Sequence, residues 1–174
     1  MTGQIEFLNG KVTLHPGDCL EALRALPDSS VDSCVTDLAA GTAAEHLVCA
    51  DLLLAGHRAF LADQNCPYDV AVDVGGRLVR IQVKATRCQR AIPQRASHIP
   101  AYMWHVRRAG KGGVRFYSEG EFDLLALVAL DIRKTAYLPP SMSKQTIHIR
   151  PPGAEGGKQF EHFPFDAAIK EVLA

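Results

Sequence analysis

The chain has few cysteines, and their spacing suits neither a disulfide framework nor a zinc site. There are five of them, and neighbouring cysteines are never closer than 15 residues: Cys19, Cys34, Cys49, Cys66 and Cys88. Disulfide-rich domains usually carry an even set, and zinc-binding cysteines come in closely spaced pairs. The sequence therefore predicts reduced thiols.

Long hydrophobic runs are also missing. The longest, Leu124 to Leu130, is far shorter than the ~20 residues that a membrane-spanning helix needs. The polar start, Met1 to Gln4, does not resemble a signal peptide. We therefore expect a cytoplasmic protein without a membrane partner, and its 174 residues are enough for a sizeable core.

Acidic residues are absent from a long central stretch. Lys and Arg number 19, as do Asp and Glu, yet the 45 residues from Val74 to Ser118 contain ten basic and no acidic side chains. Charge runs are usually solvated surfaces, but a bias of this length is typical of proteins that bind nucleic-acid backbones. The aromatic residues interleaved with it can serve core packing or base stacking: Tyr102, Trp104, Phe116 and Tyr117.

The most informative stretch is Tyr68 to Lys84, where apolar and polar residues alternate on both sides of Gly75-Gly76. A Gly-Gly pair supplies the positive φ angles of a tight turn, so this pattern predicts a β-hairpin whose register places Asp69 opposite Gln82. Side chains alternate between the faces of a strand, so the apolar residues share one face, which we expect to be core. They are Val70, Val72, Val74, Val79, Ile81 and Val83.

The polar face of this hairpin has the composition of a metal site. Directly opposed residues have Cβ atoms ~5 Å apart, so the Asp69 carboxylate and the Gln82 amide oxygen can bind one hard cation. Lys84 on the same face can then reach a phosphate or the attacking water. Solvent-facing hairpins carry the same residue types, so a purely solubilising role stays open.

A helix is predicted from Gly41 to about Ala55, ended by Gly56. Its acid, Glu45, has two interpretations. It can complete a capping box with Thr42, or it can present a carboxylate near the helix start to a metal. Both stay open on the sequence alone.

The first 40 residues are predicted to form a separate segment. They predict a hairpin turning at Asn9-Gly10, a helix at 19–26 and a strand at 31–36. The stretch from His15 to Asp37 resembles the start of an amino-group DNA methyltransferase, but Leu38 follows where that family has its catalytic prolines and aromatic. We interpret residues 1–40 as a methyltransferase-like remnant and residues 41–174 as the main domain.

Further strands and one helix are predicted around the central hairpin. Asp123 either approaches the active site or caps the entry of a buried strand, and the structural role is favoured. The predicted strands are 57–60, 101–108, 113–118, 122–130, 136–138 and 147–150, followed by a helix at 165–174.

The order of these elements resembles the PD-(D/E)xK nuclease superfamily. The shared features are a helix with an acid in its first turn, a strand with Asp, a tight turn, and a strand ending Gln-x-Lys. Within the superfamily, the sequence is most similar to the branch containing group I intron-encoded homing endonucleases. The matching segments are Gly41 to Glu45, Tyr68-Asp69, Arg80 to Lys84 and Gly120 to Asp123.

This resemblance implies an α/β (α+β) fold with a central mixed β-sheet flanked by helices. It also implies divalent-metal-dependent cleavage of DNA, with Mg²⁺ or Mn²⁺ as the cofactor. The implied catalytic residues are Glu45, Asp69, Gln82 and Lys84, of which Asp69, Gln82 and Glu45 bind the metal. Most of the superfamily has a carboxylate where Gln82 stands, so this site has one anionic ligand fewer.

Together these features predict a metal-dependent DNA endonuclease. We expect a homo-oligomer, a dimer or tetramer, because a small nuclease must reach both strands. Two alternatives stay open: a nucleic-acid-binding module of the same fold that does not cut, and an accessory subunit of a restriction-modification or phage system. The predicted DNA-contacting residues, each of which can also be an ordinary surface residue, are Arg80, Arg87, Arg90, Arg95, Arg107, Arg108 and Lys111.

Overall fold

The computed structural model describes residues 5–7, 12–14, 38–63, 65–91, 100–110, 113–142 and 146–174. Contacts divide the chain into two compact units, Met1–Val35 and Thr36–Ala174. In the first unit, β1 (Ile5–Phe7) pairs antiparallel with β2 (Val12–Leu14), in the register that a turn at Asn9-Gly10 predicts. The helix and strand predicted at 19–26 and 31–36 lie outside the described residues.

The second unit contains two α-helices and nine of the described strands. Two short 3-10 helices, Pro140–Met142 and Phe160–His162, also belong to it. Its helices and strands, in chain order, are α1 (Leu38–Leu54), β3 (Arg58–Leu61), β4 (Val70–Val74), β5 (Arg77–Thr86), β6 (Tyr102–His105), β7 (Arg108–Gly110), β8 (Gly113–Arg115), β9 (Leu124–Ala129), β10 (Lys134–Leu138), β11 (Thr146–Ile149) and α2 (Phe165–Leu173).

A mixed sheet of order β10-β9-β5-β4-β3 forms the centre of this unit. Strands β5 and β9 run parallel, whereas the other neighbours in the sheet are antiparallel. The β4–β5 hairpin has the predicted register, with Val70 opposite Ile81, and Gly75 and Gly76 have φ angles of 62° and 83°. The predicted fold class, a central mixed sheet flanked by helices, is confirmed.

Each face of the sheet covers its own hydrophobic core. On one face, the valines of β4 and β5 pack beneath the two helices, which contribute Val48 and Ile169. On the other face, Leu125 and Leu127 of β9 pack against Trp104 of β6. Because β9 is buried on both faces, its sequence is a continuous apolar run.

The strand predicted at 101–108 is divided in two. Strand β6 ends at His105 and pairs antiparallel with the distant β11, so that Trp104 lies opposite Ile147. Strand β7 pairs instead with β8. The indole Nε1 of Trp104 donates to the Val128 carbonyl (3.2 Å), which keeps β6 on the second core, while Arg107 is exposed. Core packing thus decides where β6 ends.

Within the described ranges, none of the helices combines the length and the apolar character needed to cross a membrane.

A part-buried ion pair fixes the parallel neighbours β5 and β9. The guanidinium of Arg80 donates from Nη2 to Asp123 Oδ1 (2.8 Å) and from Nε to Oδ2 (3.0 Å), and the Arg80 backbone N–H also donates to Oδ2 (2.8 Å). The pKa of Asp123 is lowered, chiefly by the hydrogen bond from the Arg80 side chain. Asp123 therefore has the structural role that the sequence favours, at the entry of β9.

We expect Asp123→Asn to lower the free energy of unfolding by about 1–3 kcal/mol, the usual contribution of hydrogen bonds to a charged group. Because the folded protein lowers the pKa of Asp123, this stabilisation is complete above the unfolded pKa of about 3.9 and is lost as the pH falls through the folded value. Urea unfolding from about pH 2 to pH 7 measures both effects.

The matched control is Glu119→Gln, which removes one exposed carboxylate from the turn before β9. It should leave the acid dependence of unfolding unchanged. An Asp123→Asn variant with the acid dependence of the parent protein would contradict this assignment.

Candidate active site

The candidate site lies where β4 and β5 separate. The β4–β5 ladder ends at Val70 and Ile81, whereas β5 continues beside β9 as far as Thr86. Beyond the ladder, the Asp69 backbone N–H donates to the Ile81 carbonyl (2.9 Å), and Asp69 Oδ2 accepts from the Val83 backbone N–H (2.7 Å). The Asp69 carboxylate thus replaces a strand partner and is held at the open edge of β5.

Gln82 joins Asp69 as the register predicts. Its side chain is 6% exposed, and its amide Nε2 donates to Asp69 Oδ2 and to the Val83 carbonyl, the latter at 3.3 Å. The hairpin pattern predicts the amide oxygen as a metal ligand, whereas in the structure the NH₂ group faces the carboxylate. A half-turn about the terminal torsion exchanges the two groups and turns the oxygen toward Asp69.

Glu45 reaches the same place from α1. The helix begins at Leu38, so Thr42 lies inside it and the first turn carries no acid. The prediction of an acid in the first turn is therefore wrong, and of the two interpretations of Glu45 the capping box is excluded, because the Thr42 hydroxyl is not at a helix end. The pKa of Glu45 is raised, first by burial and then by the negative charge of Asp69, while His46 lowers it. Two carboxylates thus share this part of the molecule.

Lys84 contributes a positively charged side chain to the site. Its Nζ lies 5.1 Å from the centroid of the Tyr117 ring, over the ring face. Lys84 and Gln82 project from the face of β5 opposite α1, whereas Glu45 belongs to the helix on the other face. They meet because the sheet is open at the edge where β4 ends.

A cavity of about 510 Å³ is lined by all four predicted catalytic residues, Glu45, Asp69, Gln82 and Lys84. Its far wall comes from β6 and includes Trp104 and His105, which the sequence analysis did not assign to the site. His105 Nδ1 lies 3.3 Å from Thr146 Oγ1 on β11. Sequence spacing carries no signal for these residues, because the β6–β11 pairing joins distant parts of the chain.

The predicted DNA-contacting residues divide into three groups. Arg87 and Arg90 line the cavity, and Arg107 is exposed just after β6. Arg80 uses its guanidinium in the ion pair with Asp123. The other three lie outside what the structure describes or belong to a strand whose side chains it leaves out: Arg95, Lys111 and Arg108.

The donor atoms of the cavity fit a hard divalent cation. Asp69 and Glu45 offer carboxylates, and Gln82 and the Val83 carbonyl offer neutral oxygens, which are the ligands that Mg²⁺ and Mn²⁺ prefer. Burial raises the pKa of Glu45 most and the negative charge of Asp69 raises it further, so a bound cation would favour the ionised carboxylate. No group of three or more His, Cys, Asp or Glu side chains suited to a metal occurs in the described ranges.

Comparisons with known proteins agree with this fold. A solved structure of a bacterial homing endonuclease matches with a TM-score of 0.58 and 14% identity, covering 80% of this chain and 95% of that one. At this identity, the likeness shows the fold. Among curated proteins, none matches the chain significantly in sequence. A family model described as PD-(D/E)XK endonuclease matches residues 37–166. This match covers most of the sequence, and the chain therefore belongs to the PD-(D/E)XK endonuclease family.

Proposed function

We propose that this protein is a divalent-metal-dependent endonuclease that hydrolyses phosphodiester bonds in DNA. The observation that carries the proposal is that one cavity is lined by Asp69, Gln82, Lys84 and Glu45, which bring carboxylate, amide and ammonium groups to it. This set combines oxygen ligands for a cation with a positive group for a phosphate. It stands in a protein of an endonuclease family.

The Asp69 carboxylate has a fixed orientation in the proposed site. The Val83 backbone N–H and the Gln82 amide both donate to its Oδ2, so its orientation is set before any substrate arrives. Mg²⁺ or Mn²⁺ held by Asp69, Gln82 and Glu45 would polarise the scissile phosphate and lower the pKa of a nucleophilic water. The protein supplies the aligned donor atoms.

Lys84 acts on the substrate. An ammonium group in the same cavity as the two carboxylates can orient the attacking water and attract a non-bridging phosphate oxygen as negative charge grows on it. Arg87 and Arg90 line the same cavity further along and can bind the neighbouring phosphates of the strand. One site cuts one strand, so we propose that a homo-oligomer, a dimer or tetramer, cleaves a duplex.

We expect Asp69→Asn and Lys84→Ala each to lower the cleavage rate by about 100-fold or more, because each removes a charge aligned with the reacting phosphate. Plasmid nicking with Mg²⁺ or Mn²⁺ measures the rate, and a gel-shift assay without metal measures DNA affinity. Asp73→Asn is the matched control, because Asp73 lies at the other end of β4 and likewise accepts a backbone hydrogen bond, from Gly76 (2.8 Å).

The same assay distinguishes the non-cutting alternative. DNA bound with salt-dependent affinity but cut by neither the parent protein nor the variants would identify a nucleic-acid-binding module. No DNA binding at low salt would point to an accessory subunit.

We expect Glu45→Gln to abolish cleavage while leaving the protein without metal at least as stable as the parent at neutral pH. A carboxyl group with a raised pKa is costly to ionise in the folded state, so its charge destabilises the fold above that pKa, and a neutral amide removes the penalty. Thermal unfolding with and without Mn²⁺ provides the measurement, and metal should raise the parent's Tm more than the variant's.

Glu161→Gln, in an exposed position on a 3-10 helix, is the control and should keep both activity and the metal-induced shift. A Glu45→Gln protein that is less stable than the parent and responds equally to Mn²⁺ would exclude Glu45 from the metal site.

We expect Arg90→Gln to weaken DNA binding and to reduce the slope of log K against log salt concentration by about 1, since one phosphate contact is lost. Fluorescence anisotropy over a salt series measures the slope. Arg58→Gln, an exposed arginine on the edge strand β3, should leave it unchanged. Equal slopes for both variants would remove Arg90 from the DNA interface.

A further inference from the structure

Lys84 has a second contact that the proposed chemistry does not use. Its ammonium lies over the face of the Tyr117 ring, 5.1 Å from the centroid. The negative face of an aromatic ring attracts a cation at this distance. Tyr117 stands between β8 and β9, in a segment where the sequence left core packing and base stacking open.

The Tyr117 ring is itself held in place. It meets the ring of Phe122 edge to face, with centroids 5.1 Å apart and planes at 87°. Phe122 is 5% exposed and belongs to the second core. Its neighbour along the chain, Asp123, is bound to Arg80 of β5. The orientation of the Tyr117 ring therefore derives from the packed interior.

A lysine side chain has several rotatable bonds, and an exposed ammonium group samples many positions. At a reacting phosphate, only the positions that face the developing charge contribute to catalysis. A fixed ring face beneath the ammonium removes most of the others. Asp69 and Glu45 line the same cavity as Lys84, so the ammonium that the ring holds belongs to the candidate site.

We propose that Tyr117 is a positioning residue that holds the Lys84 ammonium in the orientation needed for phosphodiester hydrolysis. This inference rests on the proposed function, because it assumes that Lys84 acts on the phosphate. The ring face is the active part of Tyr117 in this role, so phenylalanine should substitute for it and an aliphatic side chain should not.

A second lysine over a ring gives an internal comparison. Lys158 Nζ lies 5.6 Å from the centroid of the Phe163 ring, and neither residue lines the cavity. The contact alone therefore does not define a catalytic group. Lys84 differs because it also lines the cavity that Asp69 and Glu45 line.

The kinetic test uses the full chain with Tyr117→Leu, Tyr117→Met and Tyr117→Phe. At saturating DNA and Mg²⁺, we expect the single-turnover rate constant to fall by about 2- to 30-fold in the two aliphatic variants, the range that follows from a lost cation–π contact. The phenylalanine variant should keep most of the rate. DNA affinity should change little in all three, since the ring acts on Lys84.

Phe116→Leu is the matched control. Phe116 precedes Tyr117 in the chain and is 57% exposed. Its replacement removes an aromatic ring from the same segment and should leave the saturated rate unchanged. Tm values for every variant check that each protein is folded.

A spectroscopic test does not depend on activity. In protein with ¹³C-labelled lysine, the Lys84 side-chain signals, assigned with Lys84→Arg, should show an upfield ring-current shift. The shift should disappear in Tyr117→Leu and Tyr117→Met and persist in Tyr117→Phe. The Lys158 signals should be the same in every variant and serve as the reference.

Each outcome decides one of the two proposals. Full cleavage rates in folded Tyr117→Leu and Tyr117→Met proteins, or equal losses in these variants and Tyr117→Phe, would overturn the positioning role while the nuclease function stands. An unshifted Lys84 signal in the parent protein would also overturn it. A parent protein that cuts no DNA with Mg²⁺ or Mn²⁺ refutes the nuclease proposal and, with it, a catalytic purpose for the contact.

Discussion

The candidate site depends on the hydrogen bond from the Val83 backbone N–H to the Asp69 carboxylate. Where β4 leaves β5, the backbone of β5 loses its ladder partner, and an unpaired buried N–H group is costly. A side chain takes the place of the missing strand. The same bond therefore gives the Val83 N–H a hydrogen-bond partner and fixes a carboxylate at the open edge of the sheet, beside the Gln82 amide.

The open edge also explains how residues from both faces of the sheet come together. Glu45 lies on the helix that packs over one face, whereas Lys84 projects from the other. A continuous sheet would separate them. In this arrangement burial, and after it the charge of Asp69, raises the pKa of Glu45, so the ionised Glu45 destabilises the site unless a cation is present. Residues whose pKa values are shifted by burial and neighbouring charges are common in active sites.

Local patterning predicted the central hairpin well. Its register follows from the period of two along each strand and from the positive φ angles of Gly75 and Gly76, all of which are local properties. The sequence predicts that α1 starts at Gly41, whereas packing extends the helix toward Leu38. Thr42 therefore lies inside the helix and does not form a capping box. The wall that β6 contributes was missed, since its partner β11 is remote in sequence.

Local sequence patterns were enough to predict the hairpin, the pairing of Asp69 with Gln82, the acid-free basic segment and the family-like order of the elements, because each depends on residues near one another in the chain. Long-range packing is what brings Glu45 within the electrostatic influence of Asp69, pairs Arg80 with Asp123, and places Tyr117 beneath Lys84. These contacts join elements that meet only after the two cores have formed, and no local periodicity specifies such distances.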